Sequence, residues 1–383
     1  MTERTIAILE KLVSFDTTSR NSNLELIDWV EAELAAQGLS SVRTYDDAGV
    51  KANLLTTIGP TEAPGFVLSG HTDVVPVDGQ AWTSDPFRLT RRGDRLYGRG
   101  ACDMKGFLAS CLAGVPRMLE RPLARPIHIA FSYDEEVGCL GVPRLIARMG
   151  EAGLAPAACF VGEPTSMQVV VAHKTKVSYR AVVTGKSVHS ALAPQGVNAV
   201  DYAARLVVHL NEIGRRLAAG PSDALFDVPV STAHTGVIAG GTALNIVPEH
   251  CEFLFEFRTL PDVDVDALVA EVAAYARDVL EPEMRAVDPA TGIRLEWLSG
   301  FPGLDTTPEA EVVGLAKRLA GRNDHGKVAY GTEAGLFFAA GVPTVVVGPG
   351  SIEQAHKPDE YIEVGELARC DAFVDRLIDH CAA

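Results

Sequence analysis

Short apolar runs recur along the chain, and several of them end abruptly in polar residues. The runs at 66–68, 127–132, 158–161 and 345–347 have the length of buried β-strands. An apolar helical stretch begins near Phe107, between the first two runs. Alternating strands and helices are typical of an α/β fold. We therefore predict a mixed, mostly parallel sheet flanked by helices.

Histidine and acidic residues follow these apolar runs closely. In an open, mostly parallel sheet, polar groups beyond the carboxyl ends of the strands converge at one edge. The pattern therefore predicts one site at that edge. Its candidate residues are His71 and Asp73 after the first run, Asp103 in a glycine-flanked loop, Asp134-Glu135-Glu136 after the second run, Glu163 after the third and His356 after the last.

These side chains are of the types that bind metals. Two histidines and three or four carboxylates exceed what one structural zinc ion requires, and they suit two divalent ions that share a carboxylate. Such a pair of ions is typical of hydrolases that polarise a carbonyl and generate hydroxide at neutral pH. The alternative is that the acids are solvated loop ends. Because every cluster follows an apolar, strand-like run, the pattern favours metal binding.

The candidate metal residues stop at Glu163 and resume only at His356, which indicates an inserted domain. The intervening pattern predicts a strand at 177–183, a helix at 198–218, strands at 236–246 and 251–258, a helix at 264–280 and a strand at 293–298. This β-α-β-β-α-β order predicts a ferredoxin-like α+β module. We place the insert at residues 176–299 and the metal-binding domain at residues 1–175 and 300–383.

Composition narrows the class of protein. The net charge of −16 argues against a nucleic-acid partner, which needs a basic surface. No uninterrupted apolar stretch approaches the length of a membrane span, so we expect no membrane partner. Seven scattered cysteines indicate reduced thiols rather than a disulfide framework. We expect a cytoplasmic enzyme with a core large enough for two domains.

Several motifs carry a resemblance to a known family. In order along the chain they resemble those of the dinuclear zinc deacylases and peptidases, the family that includes aminoacylase, carboxypeptidase G, succinyl-diaminopimelate desuccinylase and the deacetylases of Nα-acetyl-L-ornithine. The motifs lie at 69–76, 98–106, 134–136, 162–165 and 354–358. The resemblance implies a homodimeric, zinc-dependent amidohydrolase with two Zn²⁺ ions, for which Co²⁺ or Mn²⁺ can substitute.

The resemblance also implies a role for each residue of the predicted site. One metal binds to His71 and Glu163, the other to Glu136 and His356, and Asp103 bridges the two. Glu135 is the general base that takes a proton from the water between the metals, and Asp73 orients His71. Consecutive residues point in different directions, so Glu136 can bind a metal while Glu135 remains free to move protons.

Two motifs of the insert, at 185–191 and 242–248, also resemble the family, and Arg258 outside them is similar to a family residue. The resemblance implies that the insert is a lid that forms the dimer, and that His189 is an oxyanion donor reaching the partner subunit's active site. It further implies that Asn245 and Arg258 hold the carboxylate of the substrate, for which an Arg offers a planar fork. Two alternatives stay open, because His189 could be a surface-loop histidine and Arg258 could form an ion pair within the insert.

The substrate is an N-acyl amino acid by the same resemblance. The run Tyr330-Gly331-Thr332-Glu333-Ala334-Gly335 resembles the branch that removes acetyl from Nα-acetyl-L-ornithine in arginine biosynthesis. Thr332 and Glu333 are thus predicted to bind substrate, and a Glu333 carboxylate near the pocket favours a substrate ammonium group. The alternatives are that Glu333 pairs with Lys357 or supports a strand. A broader deacylase, a desuccinylase, a dipeptidase and a non-catalytic metal-dependent binding protein are the competing functions.

Overall fold

The computed structural model describes residues 1–382. The helices are α1 Thr2–Val13, α2 Leu24–Ala35, α3 Gly106–Glu120, α4 Val142–Glu151, α5 Ala199–Ala218, α6 Val265–Tyr275, α7 Glu281–Val287, α8 Glu311–Ala320, α9 Ala334–Ala339 and α10 Val364–Cys381. The strands are β1 Ser41–Tyr45, β2 Ala52–Ile58, β3 Phe66–His71, β4 Thr90–Arg92, β5 Arg95–Tyr97, β6 Ile127–Ser132, β7 Ala158–Val161, β8 Val169–His173, β9 Thr175–Thr184, β10 Thr232–Gly240, β11 His250–Thr259, β12 Gly292–Phe301, β13 Leu304–Asp305, β14 His325–Val328, β15 Thr344–Val346 and β16 Tyr361–Glu363.

The chain folds as two compact units. The main unit comprises Met1–His173, Leu304–Lys327 and the described part of Thr332–Ala383, and the inserted unit comprises Lys174–Gly303 and Val328–Gly331. Each unit has a hydrophobic core of its own. The inserted unit extends past the predicted border at residue 299 because β12 pairs with β9 as far as Phe301.

A large mixed sheet organises the main unit. Its strands lie in the order β1-β2-β6-β3-β7-β15-β8-β13, and β14 also pairs with β8. The four central strands, β6, β3, β7 and β15, are parallel, whereas the outer strands pair antiparallel. Among the helices, α3 packs against α1 and α10, and α2 and α4 pack against β2. The predicted α/β class with a mixed sheet and flanking helices is confirmed, and the parallel part is its centre.

The central strands are apolar because they are buried. Every residue of β3, β6 and β7 is buried, and parallel strands covered on both faces read as continuous apolar runs. In the register between β3 and β6, His71 lies opposite Ser132. The carboxyl ends of β3 and β6 are therefore aligned, and the polar residues that follow them start at the same edge of the sheet.

The inserted unit is an antiparallel sheet in the order β10-β11-β9-β12 with helices α5, α6 and α7. This order is that of the predicted ferredoxin-like module. The second strand lies earlier than predicted, at Thr232–Gly240 rather than 236–246. Gly241 has a positive φ of 78° and turns the chain out of the sheet there, a conformation that glycine adopts without steric cost.

In residues 1–382, no helix combines the length and the apolar character needed to cross a membrane.

Candidate metal centre

Five potential ligands and one further acid meet beyond the carboxyl ends of the parallel strands. His71 ends β3, the acidic turn Asp134-Glu135-Glu136 follows β6, and Glu163 follows β7. Two loop residues complete the cluster, because Asp103 lies in an irregular, non-helical turn before α3 and His356 follows a short 3₁₀ turn. We call His71, Asp103, Glu136, Glu163 and His356 the metal centre.

Asp103 lies between the two histidines. Its Oδ1 is 3.2 Å from Nε2 of His71, and its Oδ2 is 3.3 Å from Nε2 of His356. The side chain is almost fully buried. One carboxylate therefore directs one oxygen toward each histidine, which is the geometry of a ligand shared by two cations.

The imidazole of His71 is oriented for binding through Nε2. Its Nδ1 lies 2.9 Å from the main-chain oxygen of Asp73 and 3.6 Å from the Asp73 carboxylate. A proton on Nδ1 thus bonds the carbonyl and leaves the lone pair of Nε2 facing the acids. Oε1 of Glu163 lies 3.7 Å from this Nε2. The contact of Asp73 with His71 runs chiefly through the main chain rather than the carboxylate.

Glu136 and His356 form the other side of the centre. Oε2 of Glu136 is 3.1 Å from Nε2 of His356. The second oxygen of Glu136 is buried, and within residues 1–382 it has no hydrogen-bond partner. A buried carboxylate oxygen without a partner is costly, and a cation beside it removes that cost. Together with the nitrogen and oxygen donors around it, this atom fits a divalent metal.

Glu135 lies beside the centre. One oxygen each of Glu135 and Glu163 and one nitrogen of His71 lie within 4.8 Å of one another. The thiol of Cys139 donates a hydrogen bond of 3.4 Å to Oε1 of Glu135. Burial, reinforced by Glu136 and Asp103 and opposed by His71, raises the pKa of Glu135 to about 8. A carboxylate whose pKa is close to neutral can both take and release a proton.

The carboxylate of Asp73 holds the acidic turn in place. Its Oδ1 accepts a hydrogen bond of 3.0 Å from the main-chain N–H of Glu135, and its Oδ2 accepts one of 3.3 Å from that of Glu136. The hydroxyl of Ser19 donates a further bond of 2.7 Å to Oδ2. Asp73 therefore fixes the backbone that carries both acids. Ser19 lies outside every apolar run, so the sequence pattern did not indicate it.

The charges of the centre are strongly coupled. Burial, together with the charge of Asp103, raises the pKa of both Glu163 and Glu136, and that of Glu136 reaches about 7. Hydrogen bonds to Asp103 and Glu136 raise the pKa of His356 to about 10. Burial opposes the same effect in His71, yet Asp103 and Glu163 raise its pKa well above the ordinary value. The buried carboxylates outnumber the histidines, and this arrangement favours the binding of cations.

Glu360 supports the turn that presents Asp103, although the sequence analysis predicts no role for it. Its carboxylate accepts hydrogen bonds of 3.0, 2.8 and 3.0 Å from the main-chain N–H groups of Gly100, Cys102 and Asp103. It also forms a salt bridge of 2.7 Å with Arg99, and both side chains are only 1% exposed. Glu360 stands four residues after His356, in the same loop. A single carboxylate therefore links the loop that carries Asp103 to the loop that carries His356.

We expect Glu360→Ala to lower the free energy of unfolding by about 3–5 kcal/mol, because it leaves the Arg99 charge buried without its partner. Urea denaturation with divalent metal in excess measures this change. Glu353→Ala is the matched control, since Glu353 is exposed in the same loop, and it should change stability by less than about 0.5 kcal/mol. A loss below about 1 kcal/mol in Glu360→Ala would contradict a supporting role for this carboxylate.

Thr332 and Glu333 are fully buried in the main unit. The hydroxyl of Thr332 accepts a hydrogen bond of 3.0 Å from the main-chain N–H of Ala334 at the start of α9. The two oxygens of Glu333 accept hydrogen bonds of 2.6 Å from Ser69 and Ser132. These contacts favour the alternative in which Glu333 supports strands, and they differ from the predicted pocket-facing carboxylate. Burial accounts for the difference, because Glu333 has no exposed surface and both of its oxygens are occupied by serine hydroxyls.

The remaining predicted residues lie in the inserted unit. His189 and Asn245 occupy adjacent segments, because Ser190 N–H donates a hydrogen bond of 2.9 Å to the carbonyl of Asn245. Nδ1 of His189 accepts a bond of 3.1 Å from the N–H of Ala191. Arg258 donates one of 2.8 Å from Nε to Glu256, the ion pair within the insert that the sequence left open.

Comparisons of the sequence with a family model and with known proteins agree on one family. Residues 67–380 match the model described as "Peptidase family M20/M25/M40". The chain is 37% identical to the acetylornithine deacetylase of Myxococcus xanthus, over 98% of this chain and 96% of that protein. It is 34% identical to the acetylornithine deacetylase of Photorhabdus laumondii, over 95% of this chain and 92% of that protein.

The fold is also similar to that of solved structures. Aminopeptidase PepT from Bacillus cereus superposes with a TM-score of 0.77 at 22% identity, over 100% of this chain and 99% of that one.

Proposed function

Because the chain belongs to peptidase family M20/M25/M40, we propose that it is a metal-dependent amidohydrolase that removes the acetyl group from Nα-acetyl-L-ornithine. The products are L-ornithine and acetate, a step of arginine biosynthesis. The observation that carries the proposal is the similarity to an acetylornithine deacetylase over 98% of the chain. The metal centre beside Glu135 supports the chemistry, since amide hydrolysis needs Lewis acids and a base.

The metals of the proposed enzyme are two Zn²⁺ ions, for which Co²⁺ or Mn²⁺ can substitute. His71 and Glu163 would hold one ion, Glu136 and His356 would hold the other, and Asp103 would be shared between them. When bound, such ions polarise the amide carbonyl and lower the pKa of water. The donor set of imidazole nitrogens and carboxylate oxygens supports this proposal, because it suits divalent ions of this type.

The proton transfers fall to Glu135. Its carboxylate takes a proton from the water whose oxygen attacks the acetyl carbonyl carbon, and it delivers that proton to the departing α-nitrogen as the C–N bond breaks. The carboxylate of Asp73 keeps the acidic turn in position for both steps. The thiol of Cys139 orients the Glu135 carboxylate. Water supplies one oxygen of acetate, and both of its hydrogens end on the α-nitrogen, which leaves as the ammonium group of L-ornithine.

We also propose that the inserted unit joins two copies in a homodimer, and that its His189 stabilises the developing oxyanion while Asn245 holds the substrate carboxylate. Exposed apolar side chains on the edge strands of this unit support the first point. Val237, Ile238 and Trp297 are 55%, 53% and 55% exposed, and exposed apolar residues at sheet edges are typical of association surfaces. For Arg258, the bond to Glu256 favours a structural role.

We further propose that the protein is located in the cytoplasm. All seven cysteines are buried free thiols, a usage typical of proteins in a reducing compartment.

A substrate panel tests the proposed function. We expect zinc-loaded protein to prefer Nα-acetyl-L-ornithine over N-acetyl-L-methionine and N-succinyl-diaminopimelate by about tenfold or more in kcat/KM, which corresponds to about 1.4 kcal/mol of transition-state discrimination. Equal rates would instead indicate a broader deacylase, and a preference for the succinyl substrate would indicate a desuccinylase. Absence of turnover on all three, with metal bound, would contradict the proposal of an amidohydrolase for these substrates.

A further inference from the structure

A buried carboxylate lies beneath the metal centre without touching any of its ligands. Glu333, Ser69 and Ser132 all have a relative exposure of 0%. Each oxygen of Glu333 accepts a hydrogen bond of 2.6 Å from one of the two serine hydroxyls. We call these three residues the carboxylate clamp.

The two serines lie on the strands that present the catalytic residues. Ser69 stands on β3 two residues before His71, so the two side chains share one face of the strand. Ser132 lies opposite His71 in the parallel register of β6, just before the acidic turn that contains Glu135 and Glu136. The clamp therefore connects the end of β3, which carries His71, to the end of β6, which leads into Glu135 and Glu136.

The third corner of the clamp is itself held in place. Glu333 stands at the start of α9, where Thr332 caps the N–H of Ala334. The N–H of Gly335 donates a hydrogen bond of 3.1 Å to Nε2 of the buried His173 at the end of β8. The bond to His173 thus anchors the first turn that carries Glu333 to β8, and the bond to Thr332 stabilises that turn locally.

The charge of Glu333 can influence cations at the metal centre. A buried carboxylate is strongly disfavoured unless hydrogen bonds and nearby positive charge offset its desolvation. Both hydrogen-bond partners are neutral hydroxyls, and burial raises the pKa of Glu333 above its ordinary value. A divalent cation bound at the metal centre would favour the ionised form of Glu333, and its attraction for this charge would add to its attraction for the ligands.

We propose that Glu333 is a positioning residue of the metal centre, which sets the spacing between His71 and the Glu135–Glu136 pair and increases the affinity for divalent cations. It does not contact the substrate. The proposal rests on the proposed function only in taking this metal centre as the catalytic one. It replaces the sequence-based expectation that Glu333 selects a substrate ammonium group.

Glu333→Gln separates the two possibilities, because glutamine keeps the shape and can still bond both rotatable hydroxyls while the charge is lost. Metal-free protein is titrated with Zn²⁺ in competition with a chromophoric chelator, and kcat and KM are then measured with Zn²⁺ in excess. We expect the affinity for Zn²⁺ to fall by about tenfold or more, the range for residues that support metal ligands. We expect kcat to fall by the same factor for Nα-acetyl-L-ornithine and N-acetyl-L-methionine, with both KM values unchanged.

Asp371→Asn is the matched control. Asp371 is another buried carboxylate of the main unit that accepts a hydroxyl hydrogen bond, of 2.8 Å from Thr5, and it lies on α10 away from the metal centre. This variant should bind Zn²⁺ as the unchanged protein does. If Glu333→Gln does not fold, Ser69→Ala and Ser132→Ala, which each remove one bond and keep the charge, decide through the same titration.

Unchanged Zn²⁺ affinity in a folded Glu333→Gln variant would overturn the proposal. A rise in KM for Nα-acetyl-L-ornithine alone would do so as well, and it would restore the role of a substrate contact. The titration contains no substrate, so its result is independent of the substrate panel. A weakened metal site in an enzyme that prefers a different N-acyl amino acid would support the clamp while contradicting the proposed substrate.

Discussion

Glu135→Ala is expected to keep its bound metal and to lose turnover by a factor of about 10²–10⁴, the usual contribution of a positioned general base. Glu136→Ala is expected to lose metal as well as turnover. The neighbours differ in this way because Glu136 directs its oxygen at Nε2 of His356, 3.1 Å away, whereas Glu135 is hydrogen-bonded to the thiol of Cys139. Metal content by elemental analysis and kcat for Nα-acetyl-L-ornithine measure the two effects.

The metal content of Glu135→Ala is the decisive value. Glu135 lies with His71 and Glu163 in a group close enough to hold a cation itself. Equal metal content in the two variants, whether both retain or both lose the ions, would show that the roles of base and ligand are misassigned. Glu353→Ala, in an exposed part of the His356 loop, controls for a general effect of removing acid.

Removal of the metals by a chelator is expected to abolish turnover and to make the folded state less stable as pH rises between about pH 6 and pH 9. The pKa values of Glu136, Glu135 and His356 are raised to about 7, 8 and 10 from ordinary values of 4.5, 4.5 and 6.5. The folded protein therefore binds more protons than the unfolded chain in this range, and stability decreases with pH wherever that holds. Asp103 has a lowered pKa. Its contribution to the stability of the folded state is therefore fully present above about pH 4, the ordinary pKa of an aspartate, and does not change between pH 6 and pH 9.

Thermal midpoints of the metal-free protein across this pH range test the expectation. Glu136→Gln provides the comparison, because it removes one of the titrating groups and should reduce the decline. A midpoint that stays constant or rises with pH in the metal-free protein would contradict the charges described for the centre. Restoring Zn²⁺ should raise the midpoint at every pH, since a ligand that binds only the folded state stabilises it.

The sequence was sufficient to predict the strands that lead to the centre, for a physical reason. Buried parallel strands must be apolar throughout, so β3, β6 and β7 stand out in the sequence, and polar residues at their ends must lie at one edge of the sheet. That rule locates His71, Glu135 and Glu163 without any knowledge of tertiary contacts. Asp103 and His356 lie in loops, so the pattern marked them only as candidates, and their roles as shared ligand and as ligand of the second metal were implied by the family resemblance.

Supporting residues were much harder to predict, because each acts through a contact between segments far apart in the sequence. Glu360 bonds the main-chain N–H of Asp103 from 257 positions away, and Glu333 bonds Ser69 from 264 positions away. Nothing in a local pattern distinguishes such carboxylates from solvated ones. The position of β10 was missed for a local reason, since the apolar residues after Gly241 continue the strand pattern although the chain has already turned.

The order in which the chain is synthesised differs from the order in which its two units can finish folding. The inserted unit is built almost entirely from the continuous segment Lys174–Gly303, whereas the core of the main unit combines Leu9 and Phe107 with Phe373 and Cys381. Domains generally fold as units during synthesis. The part of α3 that packs against α10 therefore stays exposed on the ribosome until α10 has been synthesised. The part of the protein translated first is the last to reach its native core, and its exposed surface is what chaperones would meet in the interval.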